Sequence, residues 1–255
     1  TDDGRSFAIV ADGCSSSPDT DFGARLLALA AECTIEWTPE ANLPACGFHI
    51  VLDARDAVPS LLPSTCLDST LLILHEYAPG QVQAVVWGDG VIFGVTHDES
   101  IRAWEVNMGN APGYPSYLLD SRRLQAYKAE GCGRRMVRHW CDSACCYDNL
   151  ESEFVVERDG QGVHAQDESF SLAFGTSIFR YVGIASDGLL SFRHRGTGRA
   201  ISLPEVLKHV VDIRAPAGKF VERSSRFFLD KTCPKLDWQH VDDYGVAMID
   251  LGKRP

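Results

Sequence analysis

Four aspartates stand where apolar runs begin or stop. FAIVADGCSSS ends its apolar stretch at Asp12-Gly13, YVGIASDGLLSF breaks at Ser186-Asp187-Gly188, and DDYGVAMIDL sets Asp242 and Asp243 just ahead of its apolar run. Taken singly, an Asp-Gly reads as an ordinary tight turn, and the chain has such dipeptides at residues 3, 12, 89, 159 and 187. Carboxylates gathered in one place repel one another unless a cation neutralises them. Their oxygens suit Mg²⁺ or Mn²⁺, so the four acids taken together point to a hard-cation site.

Strands and helices must position those acids. Residues 7–11 read as a short strand that delivers Asp12 to its end. In SPDTDFGARLLALAAECTIEW the period changes: Phe22, Leu26, Leu29 and Cys33 recur at helical spacing, with Thr20 or Asp21 as cap. Residues 42–63 read as a second, less regular helix. Residues 70–74, 81–87 and 91–95 then read as successive strands punctuated by Pro79-Gly80 and Asp89-Gly90, a meander that predicts antiparallel sheet. The stretch 99–150 predicts a flap or insertion with a short helix, in which Tyr114, Tyr117, Leu118 and Leu119 either line a partner groove or pin the flap to the core. Strands return at 153–160, 181–185 and 246–251. Between the last two lie helices in ISLPEVLKHVVDI and GKFVERSSRFFLD, where Val206, Val210 and Val211, or Phe220, Phe227 and Phe228, can face a core.

Bulk properties narrow the function classes. At 255 residues, without a linker-like or repetitive tract, the chain reads as one domain over 1–255. Lys and Arg number 24 against 35 Asp and Glu, a net charge of -11 that argues against a nucleic-acid partner. No stretch approaches the roughly 18 apolar residues of a membrane span. Nine cysteines, an odd number, with neither a leader nor a disulfide pattern, predict free thiols in the cytoplasm. The CDSACC cluster, Cys141 to Cys146, has no second spaced pair to complete a zinc site. GDGVIFG lacks the spacing of a dinucleotide fingerprint and RHRGTGRAI the ending of a Walker loop; no nucleophile elbow is present either.

In order along the chain, FAIVADGCSSSPDTDFGARLL, STLLIL, VVWGDGVIF, YVGIASDGLLSF and DDYGVAMIDL resemble the landmarks of the PP2C (PPM) family of metal-dependent serine/threonine protein phosphatases. The ordering spans almost the whole chain and is far more specific than any one Asp-Gly. The resemblance implies an α+β fold, a four-layer α/β/β/α sandwich of two central antiparallel sheets flanked by helices. It also implies two Mn²⁺ or Mg²⁺ ions in a cleft at the sheet edges. By position, Asp12 resembles the carboxylate that bridges both ions and Gly13 the residue that lends a backbone carbonyl. Asp187 and Asp242 resemble ligands of the second ion, Asp243 takes the neighbouring Asn or Asp place, and Asp89 matches a structural Gly-Asp. The implied reaction is hydrolysis of phosphoserine or phosphothreonine in a phosphorylated protein by a metal-activated water, with no covalent intermediate.

The chain also departs from the family pattern. Cys14 stands where some relatives carry a histidine proposed as general acid, and reads either as an acid or as a packed small side chain. Typical members place a further strand, with a phosphate-binding Arg and an acidic pair, before the first Asp-Gly strand; here TDDGRS precedes Phe7. The chain therefore either begins inside the domain or is an abbreviated member, with Asp2 or Asp3 standing for the acidic pair or forming a solvated terminal turn. An abbreviated member would favour the alternative function, a catalytically weak or inactive regulatory protein that binds a phosphoprotein. Asp98 and Asp120 either approach an optional third ion or are solvated. Arg193, Arg195 and Arg199 form the candidate substrate-binding patch, the alternative being a solvated hairpin.

Overall fold

The computed structural model describes residues 4–37, 43–107, 112–129, 135–141, 152–156, 169–213 and 218–252; Asp2, Asp3, Asp159 and residues 142–146 of the cysteine cluster lie outside them. In chain order the elements are β1 (Phe7–Gly13), α1 (Thr20–Trp37), α2 (Leu43–Ala57), β2 (Ser69–Ala78), β3 (Gln81–Trp87), β4 (Gly90–Thr96), β5 (Ile101–Asn107), α3 (Ser121–Ala129), β6 (Arg135–Cys141), β7 (Ser152–Val156), β8 (Ser169–Gly175), β9 (Phe179–Ala185), β10 (Arg193–His194), α4 (Leu203–Val210), α5 (Phe220–Phe227), β11 (Trp238–Gln239) and β12 (Val246–Asp250). Single 3₁₀ turns occupy Ser64–Leu67 and Pro115–Leu119.

Two antiparallel sheets carry the fold, one ordered β1-β2-β3-β8 and the other β12-β9-β4-β5-β6-β7. Side-chain alternation sorts their residues into three apolar layers. Val10, Leu72, Leu74, Val86, Ile92 and Ile184 fill the space between the sheets. Leu71, Ile73, Val85 and Trp87 point the other way, into α1 and α2. On the far side Val91, Phe93 and Tyr181 meet Val206, Leu207 and Phe228. The order of layers is helix, sheet, sheet, helix, as expected.

Within that frame several expectations change. The buried stripe of α1 is Gly23, Ala24, Leu27, Ala30, Ala31 and Ile35, whereas Phe22, Leu29 and Cys33 are exposed. Small residues let the helix lie close: a Cβ at Gly23 would sit 1.8 Å from the Cys66 carbonyl oxygen. Close approach outweighs side-chain size in choosing the face. Of the helical candidates near the C-terminus, Val206, Val210 and Phe228 are buried and Phe227 is exposed. Ser202 and Glu205 form a capping box that starts α4.

The expected meander holds for β2 and β3, which pair through Pro79-Gly80, with Gly80 at φ 71°. It does not hold for β3 and β4. Gly88-Asp89-Gly90 carries the chain from one sheet to the other, because a turn signal encodes reversal and not the strand that becomes the partner. β1 runs on to Gly13, since Asp12 and Gly13 still pair with Thr70 and Ser69. Within 99–150, residues 101–107 and 135–141 are strands of the six-stranded sheet.

The strand that leads to Asp187 is packed without slack. A Cβ at Gly183 would stand 2.1 Å from the fully buried Phe93 ring, an overpacking of the kind that costs about 1–3 kcal/mol. Urea unfolding of Gly183→Ala is expected to show that loss with an unchanged slope.

Candidate functional site

Antiparallel pairing delivers the acids to one end of the sandwich. β1 ends beside the start of β2, and β9 ends beside the start of both β4 and β12, with Ala185 opposite Val91 and Val246. β1 also packs on β12 across the two sheets. Val10 faces the inter-sheet layer, so Asp12, two residues on, leaves the strand on the same face. Cys14 N–H bonds the Asp68 carbonyl and Glu76 N–H the Ser6 carbonyl, which places the even residues of β1 in the ladder. The backbone groups of Gly13 therefore turn to the open edge of β1.

Close backbone packing brings Asp187 to Asp242 and Asp243. A Cβ on Gly188 would meet the Asp243 carbonyl oxygen at 1.9 Å. Ser186 N–H donates to the Gly245 carbonyl at 3.0 Å, and Gly245 N–H donates back to Ser186 Oγ at 3.1 Å. Asp243 N–H donates to Asp242 Oδ1 at 2.9 Å, and His240 Nδ1 lies 3.0 Å from the Asp242 carbonyl.

The acids feel one another. Asp12 has its pKa raised, chiefly by burial; a hydrogen bond with Ser186 works the other way, and the charges of Asp187, Asp242 and Asp243 add to the rise. Asp187 is raised too, first by desolvation from the surrounding protein and then by Asp242, although its side chain still reaches solvent. Both carboxylates are thus held in surroundings that disfavour their charged form. Among the described residues, no group of three or more His, Cys, Asp or Glu side chains is arranged to hold a metal ion.

Cys14 is half-exposed and not a packed core side chain. Desolvation pushes its thiol pKa up, but hydrogen bonds with Ser16, Tyr114 and Ser17 outweigh that and bring it below the ordinary value. Its Sγ lies 3.0 Å from Ser16 Oγ. Tyr114 is pushed well above the usual phenol range, first by burial and next by its bond with Cys14, so its hydroxyl stays protonated.

One acid at this end escaped the sequence reading. Asp68, 3% exposed, precedes β2 and accepts bonds from Ser17 Oγ (2.9 Å), Ser116 Oγ (2.6 Å) and Arg123 Nη2 (2.8 and 3.0 Å). CLDSTLLIL carried the signal: an acid bounding an apolar run, at its start instead of its end. Nothing in the sequence paired it with Arg123, 55 residues away.

The other candidates take different places. Arg193 Nη1 donates to the Leu190 and Phe192 carbonyls at 2.9 Å, so it secures its own hairpin, and Arg195 and Arg199 are exposed on that hairpin. Asp98 sits in the β4–β5 turn with Thr96 and Ser100, at the end of β4 opposite the acids, away from any third ion beside Asp12. Asp120 accepts the N–H groups of Arg122 and Arg123 and caps α3. Asp89 is buried in the crossing between sheets. Leu118 and Leu119 pack against the α1/α2 layer and Tyr114 is buried, so this segment is pinned to the core.

No protein-family model matches the chain, and no curated protein sequence matches it. Solved structures similar to it include the Mycobacterium tuberculosis serine/threonine phosphatase PstP/Ppp, at a TM-score of 0.48 and 14% identity over 97% of this chain and 88% of that one. Staphylococcus aureus serine/threonine phosphatase Stp1 is similar at a TM-score of 0.45 and 10% identity, covering 96% and 82%. A Toxoplasma gondii serine-threonine phosphatase 2C gives 0.44 and 14%, covering 95% and 83%.

A raised carboxylate pKa contributes stability that is present below the unfolded value and is lost as pH rises through the folded one. Ionised Asp187 therefore weakens the metal-free fold at neutral pH. Asp187→Asn is expected to melt above the wild type at pH 7 in EDTA, with the gap closing as pH falls below the unperturbed 3.8. Melting curves across that range check it.

Proposed function

We propose that this chain is a cytoplasmic, PP2C-like, metal-dependent phosphomonoester hydrolase of signalling that removes phosphate from phosphoserine or phosphothreonine in phosphorylated proteins. The observation that carries the reading is the convergence of Asp12, Asp187, Asp242 and Asp243 at one end of a two-sheet sandwich, close enough to raise the pKa of Asp12. The order of the surrounding motifs supports it. The donor set is all oxygen and short of positive charge, a chemistry that fits a hard divalent cation.

Asp12, the Gly13 carbonyl, Asp187 and Asp242 would hold two Mn²⁺ or Mg²⁺ ions. When bound, these would supply an acidified water for in-line attack on phosphorus and positive charge for the phosphoryl oxygens. The chain's own residues prepare the place. Ser186 orients Asp12 by a hydrogen bond, while the Asp243 N–H fixes one oxygen of Asp242. Tyr114, protonated and bonded to Cys14, keeps a donor and a thiol beside the turn that follows Asp12. Water or a side chain there would supply the proton to a departing serine or threonine oxygen.

A second reading draws on the lack, among the described residues, of any three side chains arranged around one ion. In it the same surface binds a phosphoprotein and hydrolyses it weakly or not at all.

Initial rates with a small aryl phosphate in EDTA, Mg²⁺ or Mn²⁺ separate the two. Hydrolysis that requires the ion and falls at least about tenfold in Asp187→Asn, since losing a ligand should cost no less than losing a partner behind one, supports the enzyme. A folded protein that retains a phosphopeptide but shows no turnover with either ion supports the binder.

A further inference from the structure

We propose that Arg123 is a positioning residue: through its paired bonds to buried Asp68 it holds the Asp12-Gly13-Cys14 turn in place from the segment that follows β5. The bearing of this brace on hydrolysis rests on the function proposed above; the brace itself does not.

Asp68 is the junction. Its carbonyl accepts the Cys14 N–H at 2.8 Å, the last rung between β1 and β2. Its carboxylate takes Ser17 on one oxygen, Ser116 on the other, and Arg123 Nη2 on both. An ionised carboxylate offers about four acceptor sites, and four bonds occupy them. The donors come from the turn after Asp12, from the 3₁₀ turn Pro115–Leu119 and from α3. Thr20 Oγ1 grips the Cys14 carbonyl at 2.9 Å, so both backbone groups of Cys14 are anchored, one of them through Asp68.

Arg123 is the cation on this carboxylate among the described residues. Its guanidinium carbon lies 4.7 Å from the centre of the Tyr117 ring, and its backbone N–H is capped by Asp120 at 3.2 Å, so α3 presents it in a fixed pose. Without it a buried anion keeps two hydroxyls and no countercharge, a state that drives the carboxylate to move toward water or a proton. Both bonds come from the one nitrogen Nη2, so what lysine would lose is the guanidinium face against Tyr117, and it is a poor substitute on such a stacked site. The side chain is 29% exposed, so a small cation can reach its place from solvent.

Cys14 reports on the turn directly. The whole chain, as wild type and as Arg123→Met, is alkylated with iodoacetamide under native conditions without metal, and labelling is followed peptide by peptide by mass spectrometry. Exposed Cys33 controls for reagent, and buried Cys233, whose thiol burial pushes to about 11, controls for global opening. The expected result is Cys14 labelling about tenfold faster, as for a local opening, with Cys33 and Cys233 unchanged. Losing a nearby cation by itself makes a thiol less reactive, so faster labelling reads a loosened turn. Millimolar guanidinium should slow Cys14 again in Arg123→Ala and leave the wild type alone, and Arg123→Lys should not restore it. Ser116→Ala, which keeps the cation, should loosen Cys14 by a smaller factor. An unchanged or slower Cys14, no rescue by guanidinium, or Cys233 rising in step with Cys14 would overturn the proposal. Since neither ion nor phosphoester enters the measurement, failure here is distinct from failure of the proposed hydrolase.

Discussion

The layer of side chains between the two sheets sets everything at the acid end. Val10, Leu72, Val86, Ile92, Ile184 and Ile249 meet there, and each comes from a strand whose alternate residues point away. Once that layer is dry, the register of its strands is determined: a slip of one residue would turn Val10 out of it toward the helices and Asp12 to the opposite face. Antiparallel order then does the gathering. The end of β1, the start of β2, the crossing from β3 to β4, the end of β9 and the start of β12 all emerge together. The acids are neighbours because the apolar residues before or after them are.

Two sets of carboxylates share this end, with opposite electrostatics. Asp68 is almost wholly buried and fully served, by a guanidinium and two hydroxyls. Asp12 and Asp187 have no ion-pair partner among the described residues, and burial together with neighbouring acids pushes their pKa values up. The fold supplies positive charge where an acid braces a turn and withholds it where acids face solvent. Such a deficit is a feature of functional sites more than of structural ones.

Small residues make the arrangement close enough to matter. Gly188 lies under the Asp243 backbone, Gly23 under Cys66, and Gly13 against Thr20. Each lets two backbones meet where a methyl group would part them, and the first sets the spacing between Asp187 and the Asp242-Asp243 pair.

Much of this was legible in sequence. Strands that stop at Asp12 and Asp187, a strand that starts after Asp243, the helix beginning at Thr20 and the Pro79-Gly80 hairpin are local signals, written in period and turn chemistry. Partnership was not. The crossing at Asp89, the face of α1 set by alanines and Gly23 instead of Phe22 and Leu29, the occupation of Arg193 by carbonyls and the bond between Asp68 and Arg123 all depend on which surface comes to lie opposite. The sequence by itself determined that four acids stand close to the ends of three apolar runs. Only the tertiary structure decided which acid receives a countercharge, because that turns on distances between segments far apart in the chain, and local periodicity does not contain them.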